Sequence, residues 1–219
     1  MTGAQYKDTL ATQIYDGLLE SIVSRNLPSG AKINARQLQM QYNTSSTPVR
    51  EALGRLVAEG LVEYEANIGY RVARFGRRDI WELNDILAML DCHAIELAAR
   101  NPRRELMISE LRRTVEAQQK AYDSGDEALY RFATERFHEI FYEFGENQHL
   151  TATMRKFNYR TRIMASMYET HENRRISLRE HALIYHMIKD GDIDEAVRLM
   201  RAHIFETRDL LISQLESEK

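Results

Sequence analysis

The sequence predicts a mainly α protein in two parts: a small N-terminal domain of three helices and a two-stranded hairpin, then a longer all-helical bundle. Three observations predict it. Apolar residues recur at helical spacing along most of the chain, as at Leu10, Ile14, Leu18 and Ile22. Rough alternation of β-branched and aromatic residues occurs in one place, "LVEYEANIGYRVARF", from Leu61 to Phe75. Only three prolines and ten glycines interrupt 219 residues, which favours long helices.

The elements follow in order. Thr9 to Val23 carries the first apolar stripe, and "NLPSG" (Asn26 to Gly30) ends it with turn residues. Asn34 is placed to cap a short helix running to about Tyr42. Thr47 and Pro48 read as the N-cap and first residue of a third helix. That helix buries Ala52, Leu53, Leu56 and Val57 and stops at Gly60. The hairpin turns at "ANIG". From Asp79 onward no strand pattern occurs. Ile80, Leu83, Leu87, Leu90, Ala94 and Leu97 form a long stripe. Further helices are expected over Arg104–Tyr122, Asp126–Phe144, Gln148–Glu169, Ile176–Lys189 and Asp192–Leu215. Their separators, "DSGD", "GEN", "HENR" and "KDGD", are rich in breakers and caps. The domain boundary falls at "FGRRD", so residues 1–76 form the first domain and 77–219 the second.

Composition excludes several classes. No apolar run approaches the ~18 residues of a membrane-spanning helix. The N-terminus is polar and carries acids, unlike a secretory signal. Cys92 is the single cysteine, which excludes an internal disulfide and suits the cytoplasm. With a net charge of -3 the chain is no generic polyanion binder, so charge has to be read locally.

Locally, Arg25, Lys32, Arg36, Arg50 and Arg55 surround one acid, Glu51. A basic helix pair whose second helix opens with Ser45, Ser46, Thr47 and Arg50 suits duplex DNA. The start of such a helix reaches base edges in the major groove, and its hydroxyls and N–H groups hold phosphate. Arg50 suits two hydrogen bonds to guanine, and Gly69 lets the hairpin tip approach the backbone closely. Any one of these arginines alone is an ordinary solvated charge; the ordered set points to DNA.

The bundle holds a second constellation. His138, His181 and His203 lie on three different helices, each on a row of apolar residues. Three neutral imidazoles in a bundle core suit Zn or Ni and leave a position open for water or a carboxylate. Tyr130, Thr134 and Tyr185 share those rows. With Arg160 and Arg162 they are read as contacts for a small organic effector.

"TPVREALGRLVAEGLVEYEANIGYRV" closely resembles the winged-helix signature of the GntR family of bacterial transcription regulators, and "IYDGLLESIVSRNLPSGAKI" is similar to the family's first helix and turn. "RFHEIFYEFGENQHL" and "REHALIYHMIKDGDIDEAVRLMRAHI" resemble the FCD-type ligand-binding domain of one GntR subfamily. The resemblance implies a winged helix-turn-helix domain followed by an all-α FCD bundle. It implies DNA contacts at Arg36, Ser45, Ser46, Thr47, Arg50 and Gly69, a homodimer on a two-fold operator, and a metal at His138, His181 and His203. Several positions depart from the family pattern. Ser46 replaces an arginine, Ala35 a common acid, Leu87 an arginine, and Thr134 the aspartate that usually joins the histidines as ligand.

The function expected is therefore a cytoplasmic transcriptional repressor whose operator binding answers to a small organic ligand in the bundle, a carboxylate at the metal site being one candidate. Two rivals remain at this stage. One is a metal-dependent hydrolase using Glu180 or Glu206 as base; the other is a bundle that only dimerises.

Overall fold

The computed structural model describes residues 9–168 and 170–217. The chain forms two compact units. One comprises Met1–Phe75 with Tyr159–Met167, the other Gly76–Asn158 with Tyr168–Lys219.

The first unit contains α1 (Leu10–Val23), β1 (Lys32–Ile33), α2 (Ala35–Gln41), α3 (Ser46–Ala58), β2 (Val62–Glu65) and β3 (Gly69–Val72). Helix α1 packs on α3, and α2 also packs on α3. Ile14, Leu18 and Ile22 meet Val49, Leu53 and Leu56 in the core of this unit, all nearly or fully buried. Asn34 caps α2 through its side-chain oxygen, which accepts from the N–H groups of Arg36 and Gln37. Such a cap is worth ~1 kcal/mol.

The third helix begins two residues earlier than its Thr-Pro pair suggests, with Ser45 as N-cap. Pro48 fits in the first turn because the first four helical N–H groups have no intrahelical acceptor to lose. The hairpin is joined by a third strand that the sequence pattern does not reveal. The two-residue β1 pairs with β3, Lys32 opposite Arg71 and Ile33 opposite Tyr70, giving the antiparallel order β1-β3-β2.

The second unit contains α4 (Arg77–Ala98), α5 (Arg104–Ser124), α6 (Glu127–Gly145), α7 (Gln148–Tyr168), α8 (His171–Asp190) and α9 (Ile193–Ser217). The segment Tyr159–Met167 of α7 groups with the first unit. Helix α4 packs on α9 and α6, α6 on α5, α5 on α8, and α8 on α9. Those five helices close a ring around one core that includes Ile95, Met107, Phe137, Phe141, Ile184 and Met200. Gly125 and Gly191 stop α5 and α8 in the left-handed conformation that glycine adopts without strain.

Helix α8 begins at His171, five residues before the expected start. Thr170 caps it, accepting from the Asn173 N–H, and Glu172 complements the positive end of the helix. "HENR" is thus the polar first turn of the helix and not a linker; its polarity hid the helical period. Glu169, the expected end of α7, lies outside the described residues.

Candidate nucleic-acid interface and metal centre

In the first unit, Ser45, Ser46, Thr47 and Arg50 lie together on the exposed start of α3, and Arg36 is exposed at the start of α2. The Ser45 hydroxyl makes no capping bond to its own helix, so the N–H groups there stay turned outward. Gly69 begins β3 at φ +99°, with open space where a side chain would stand. Arg55, counted in the basic set, is exposed and lies against Tyr15. Its guanidinium lies 4.1 Å from the Tyr15 ring centre, and the Tyr15 hydroxyl donates to Glu59.

The helical ring of the second unit brings His138 of α6, His181 of α8 and His203 of α9 together. One ring nitrogen from each lies within 4.8 Å of the others. His181 is fully buried and His203 nearly so. Each histidine has its Nδ1 committed to a partner. His138 Nδ1 meets Asp91 Oδ2 at 2.7 Å, and His203 Nδ1 meets Glu180 Oε2 at 2.7 Å. His181 Nδ1 meets Gln118 Oε1 at 2.9 Å. Gln118 in turn donates its amide nitrogen to Thr134 Oγ1 at 2.8 Å. The Tyr142 hydroxyl donates to the other oxygen of Asp91.

These partners set the protons. A carboxylate accepts only, so Nδ1 of His138 and of His203 carries hydrogen. With the Gln118 oxygen turned toward it, Nδ1 of His181 carries hydrogen as well. All three Nε2 atoms are then lone pairs. His181 Nε2 and His203 Nε2 face each other at 3.3 Å. With the Gln118 amide in that orientation, the two facing lone pairs favour a cation between them; with it reversed, His181 Nε2–H donates to His203 Nε2 instead. Two nitrogens bound at ~2.05 Å across a tetrahedral angle stand ~3.3 Å apart. The donor set therefore fits a divalent cation of the zinc or nickel kind.

His181 itself is a poor place for a proton. Burial, then the charges of His203 and His138, hold His181 well below the ordinary imidazole range. Burial opposes ionisation of Glu180, but the hydrogen bond and charge of His203 outweigh it and keep the carboxyl below its usual range. Glu206 shifts up because it shares a hydrogen bond with Glu180.

The remaining expected effector contacts are dispersed. Tyr130 is buried and donates to the Arg174 carbonyl within a small cluster with Ala121 and Leu178. Tyr185 packs in the main core. Arg160 and Arg162 belong to the first unit. Thr134 joins the histidines, through Gln118.

The FCD domain family matches residues 82–206, and the gntR family of bacterial regulatory proteins matches residues 10–72. The chain belongs to the FCD-carrying branch of the GntR family. It is a DNA-binding transcriptional regulator. Among relatives of this GntR protein, one from Paenarthrobacter nicotinovorans is named "Probable D-xylose utilization operon transcriptional repressor". It is 27% identical over 198 residues, 90% of this chain and 87% of its own. The Nta operon transcriptional regulator of Aminobacter aminovorans is 28% identical over 83% of this chain and 85% of its own. A GntR-type regulator from Rhodococcus sp. RHA1 superposes with a TM-score of 0.81 over 93% of this chain and 97% of its own. At 19% identity it supports the fold alone. No described helix is long and apolar enough to cross a membrane.

Sequence reasoning missed Asp91, Gln118 and Tyr142. A signal for the first two was present. Asp91 sits on the inward row of α4 with Ala88 and Ile95, and Gln118 on that of α5 with Met107, Leu111 and Ala121. A polar side chain on a buried row needs a buried partner.

Proposed function

We propose that this regulator is a cytoplasmic homodimeric repressor. Its helical unit holds a divalent cation, Zn or Ni, on His138, His181 and His203, and takes a small carboxylate as effector there. The observation that carries the proposal is the convergence of three imidazole nitrogens, each with its other nitrogen bound to an acceptor, in the helical unit of a DNA-binding protein. When bound, the cation supplies positive charge and an open position that attract a carboxylate oxygen. The chain's own contribution is to hold three neutral imidazoles in one orientation, two of them, His181 and His203, buried. DNA is read by Arg36, Ser45, Ser46, Thr47, Arg50 and Gly69, and a dimer matches a two-fold operator.

The effector regulates by binding two states of the protein unequally. The difference in affinity equals the change in operator free energy, in either direction. The test is a mobility-shift titration on DNA fragments from the protein's own promoter region. It is run with zinc-loaded and chelated protein against a panel of carboxylic acids. A fragment bound in preference to competitor, and released by one of the acids only when the metal is present, is the expected result. Release by that acid in chelated protein, or by none of the panel, counts against the metal-bound carboxylate.

A further inference from the structure

We propose that Gly54 is a docking residue for DNA: it leaves the outer face of α3 bare at its middle, so that the helix backbone seats against the major groove of the operator. The inference rests on the reading of α3 as the groove-facing helix and adds to it a position that carries no side chain.

Glycine is the poorest helix former after proline, because it has the most backbone freedom to lose. Gly54 nevertheless stands inside α3, which spans Ser46–Ala58. Two structural reasons commonly account for a glycine inside a fold, and neither holds here. One is a backbone angle that other residues adopt only with strain. Gly54 is helical and is not among the glycines at positive φ. The other is a neighbour too close for a Cβ. Gly17 of α1 is of that kind, since a Cβ there would run into the Tyr42 hydroxyl. A Cβ on Gly54 would meet nothing within 4 Å. Among the described glycines it alone combines an ordinary helical backbone with open space. The folded chain gains nothing from the missing side chain, and α3 gives up helix stability for it. The gain lies with whatever comes up to that face from outside.

The place of Gly54 on the helix names that ligand. At about 100° per residue it lies within about 20° of Thr47, two turns earlier, and about 40° from Arg50, one turn earlier. Thr47, Arg50 and Gly54 are all exposed, and the buried row of Val49, Ala52, Leu53 and Leu56 lies on the far side of the helix. A duplex met by Thr47 and Arg50 therefore runs on past Gly54. The major groove is about 12 Å wide, and a helix with its side chains is about 10–12 Å across. The fit is close, and a side chain on the face toward the groove floor holds the helix off. Without one, the α3 backbone comes up to the base edges and brings Arg50 with it.

The test compares Gly54→Ala and Gly54→Leu with wild type and with Arg50→Ala, all in the full chain. Helicity and melting temperature are followed by circular dichroism. Affinity is followed by anisotropy on the fragment of the protein's own promoter region that wild type prefers to competitor. Gly54→Ala should melt about 2–4 °C higher, because alanine is the better helix former, yet bind the fragment about five- to a hundred-fold more weakly, as an extra methyl does in a close-packed contact. Gly54→Leu should bind more weakly still with its helicity kept. A fold defect would instead lower stability and affinity together. Unchanged affinity in both Gly54 variants, with Arg50→Ala weakened, would overturn the proposal and leave α3 in the groove. Unchanged affinity in all three would remove α3 from the groove, and the proposal with it. A lower melting temperature in Gly54→Ala would show that the fold itself needs the glycine, which also overturns the proposal.

Discussion

Zinc should raise the melting temperature of this protein, and His203→Ala should abolish most of the rise. The size follows from the fold. A ligand at about 100 times its dissociation constant, bound only by the native state, stabilises by about 2.7 kcal/mol. The helical unit has roughly 135 residues. At about 2.1 cal/mol/K per residue its unfolding entropy is about 0.28 kcal/mol/K, so the expected shift is roughly 10 °C. The substitution also changes the metal-free baseline. It leaves Glu180 without the imidazole that donates to it, at a cost of ~1–3 kcal/mol, and it removes the nitrogen that faces His181. The shift on adding metal is therefore the quantity to compare, not the melting temperature itself. Chelator-stripped wild type and variant would be melted by circular dichroism with zinc and with magnesium, which prefers oxygen ligands. An equal zinc shift in His203→Ala, or an equal shift with magnesium in wild type, would show that the cation acts elsewhere.

Other perturbations give independent checks. Arg50→Ala should weaken specific operator binding by at least ~1 kcal/mol with the fold intact, measured by anisotropy on the preferred fragment; an unchanged affinity removes Arg50 from the interface. Operator affinity should fall steeply and log-linearly with salt, and a flat titration would exclude phosphate contacts. In metal-free protein the depressed basicity of His181 makes stability pH-dependent. Below the unfolded imidazole value of ~6.5 the unfolded chain takes the proton first. Stability is then full above that pH and declines below it, by up to ~1.4 kcal/mol per pH unit for one proton. Denaturant melts at pH 5 and 7.5 that agree would refute this. Burial pushes the Cys92 thiol up to about 11, so iodoacetamide should label it at pH 8 only after unfolding; rapid native labelling would contradict its burial.

Helical periodicity carried most of the fold, because an apolar stripe records which face of a helix is buried. Where the rows were drawn mattered. The stripe through Leu87 and Leu90 is partly buried, whereas the innermost row of α4 runs through Asn84, Ala88, Asp91 and Ile95. Small and polar residues occupy that row because five helices crowd there around a polar centre, and hydrophobicity alone ranks it below its leucine-rich neighbour. The strand β1 escaped for a different reason. Two residues have no period, and Lys32 and Ile33 become a strand only because β3 offers them an edge.

The site was legible to the extent that ligands are chemically conspicuous. Three histidines on apolar rows announce themselves, and the structure gathers the same three. Their partners do not, because Asp91, Gln118 and Glu180 are common residue types whose meaning depends on which nitrogen they face. The sequence also makes Thr134 look like a loss, since a hydroxyl is a weak ligand. Seen with Gln118, it is the hydrogen-bond partner that a buried amide needs. A centre built from neutral imidazoles keeps its two negative charges, Asp91 and Glu180, one bond further out. There they would still offset a bound divalent cation electrostatically, while leaving open coordination positions that a carboxylate ligand would fill. That arrangement makes the affinity of the centre depend on hydrogen-bond direction as much as on ligand identity. Substitutions at the outer partners should therefore tune the metal without disturbing the helical ring.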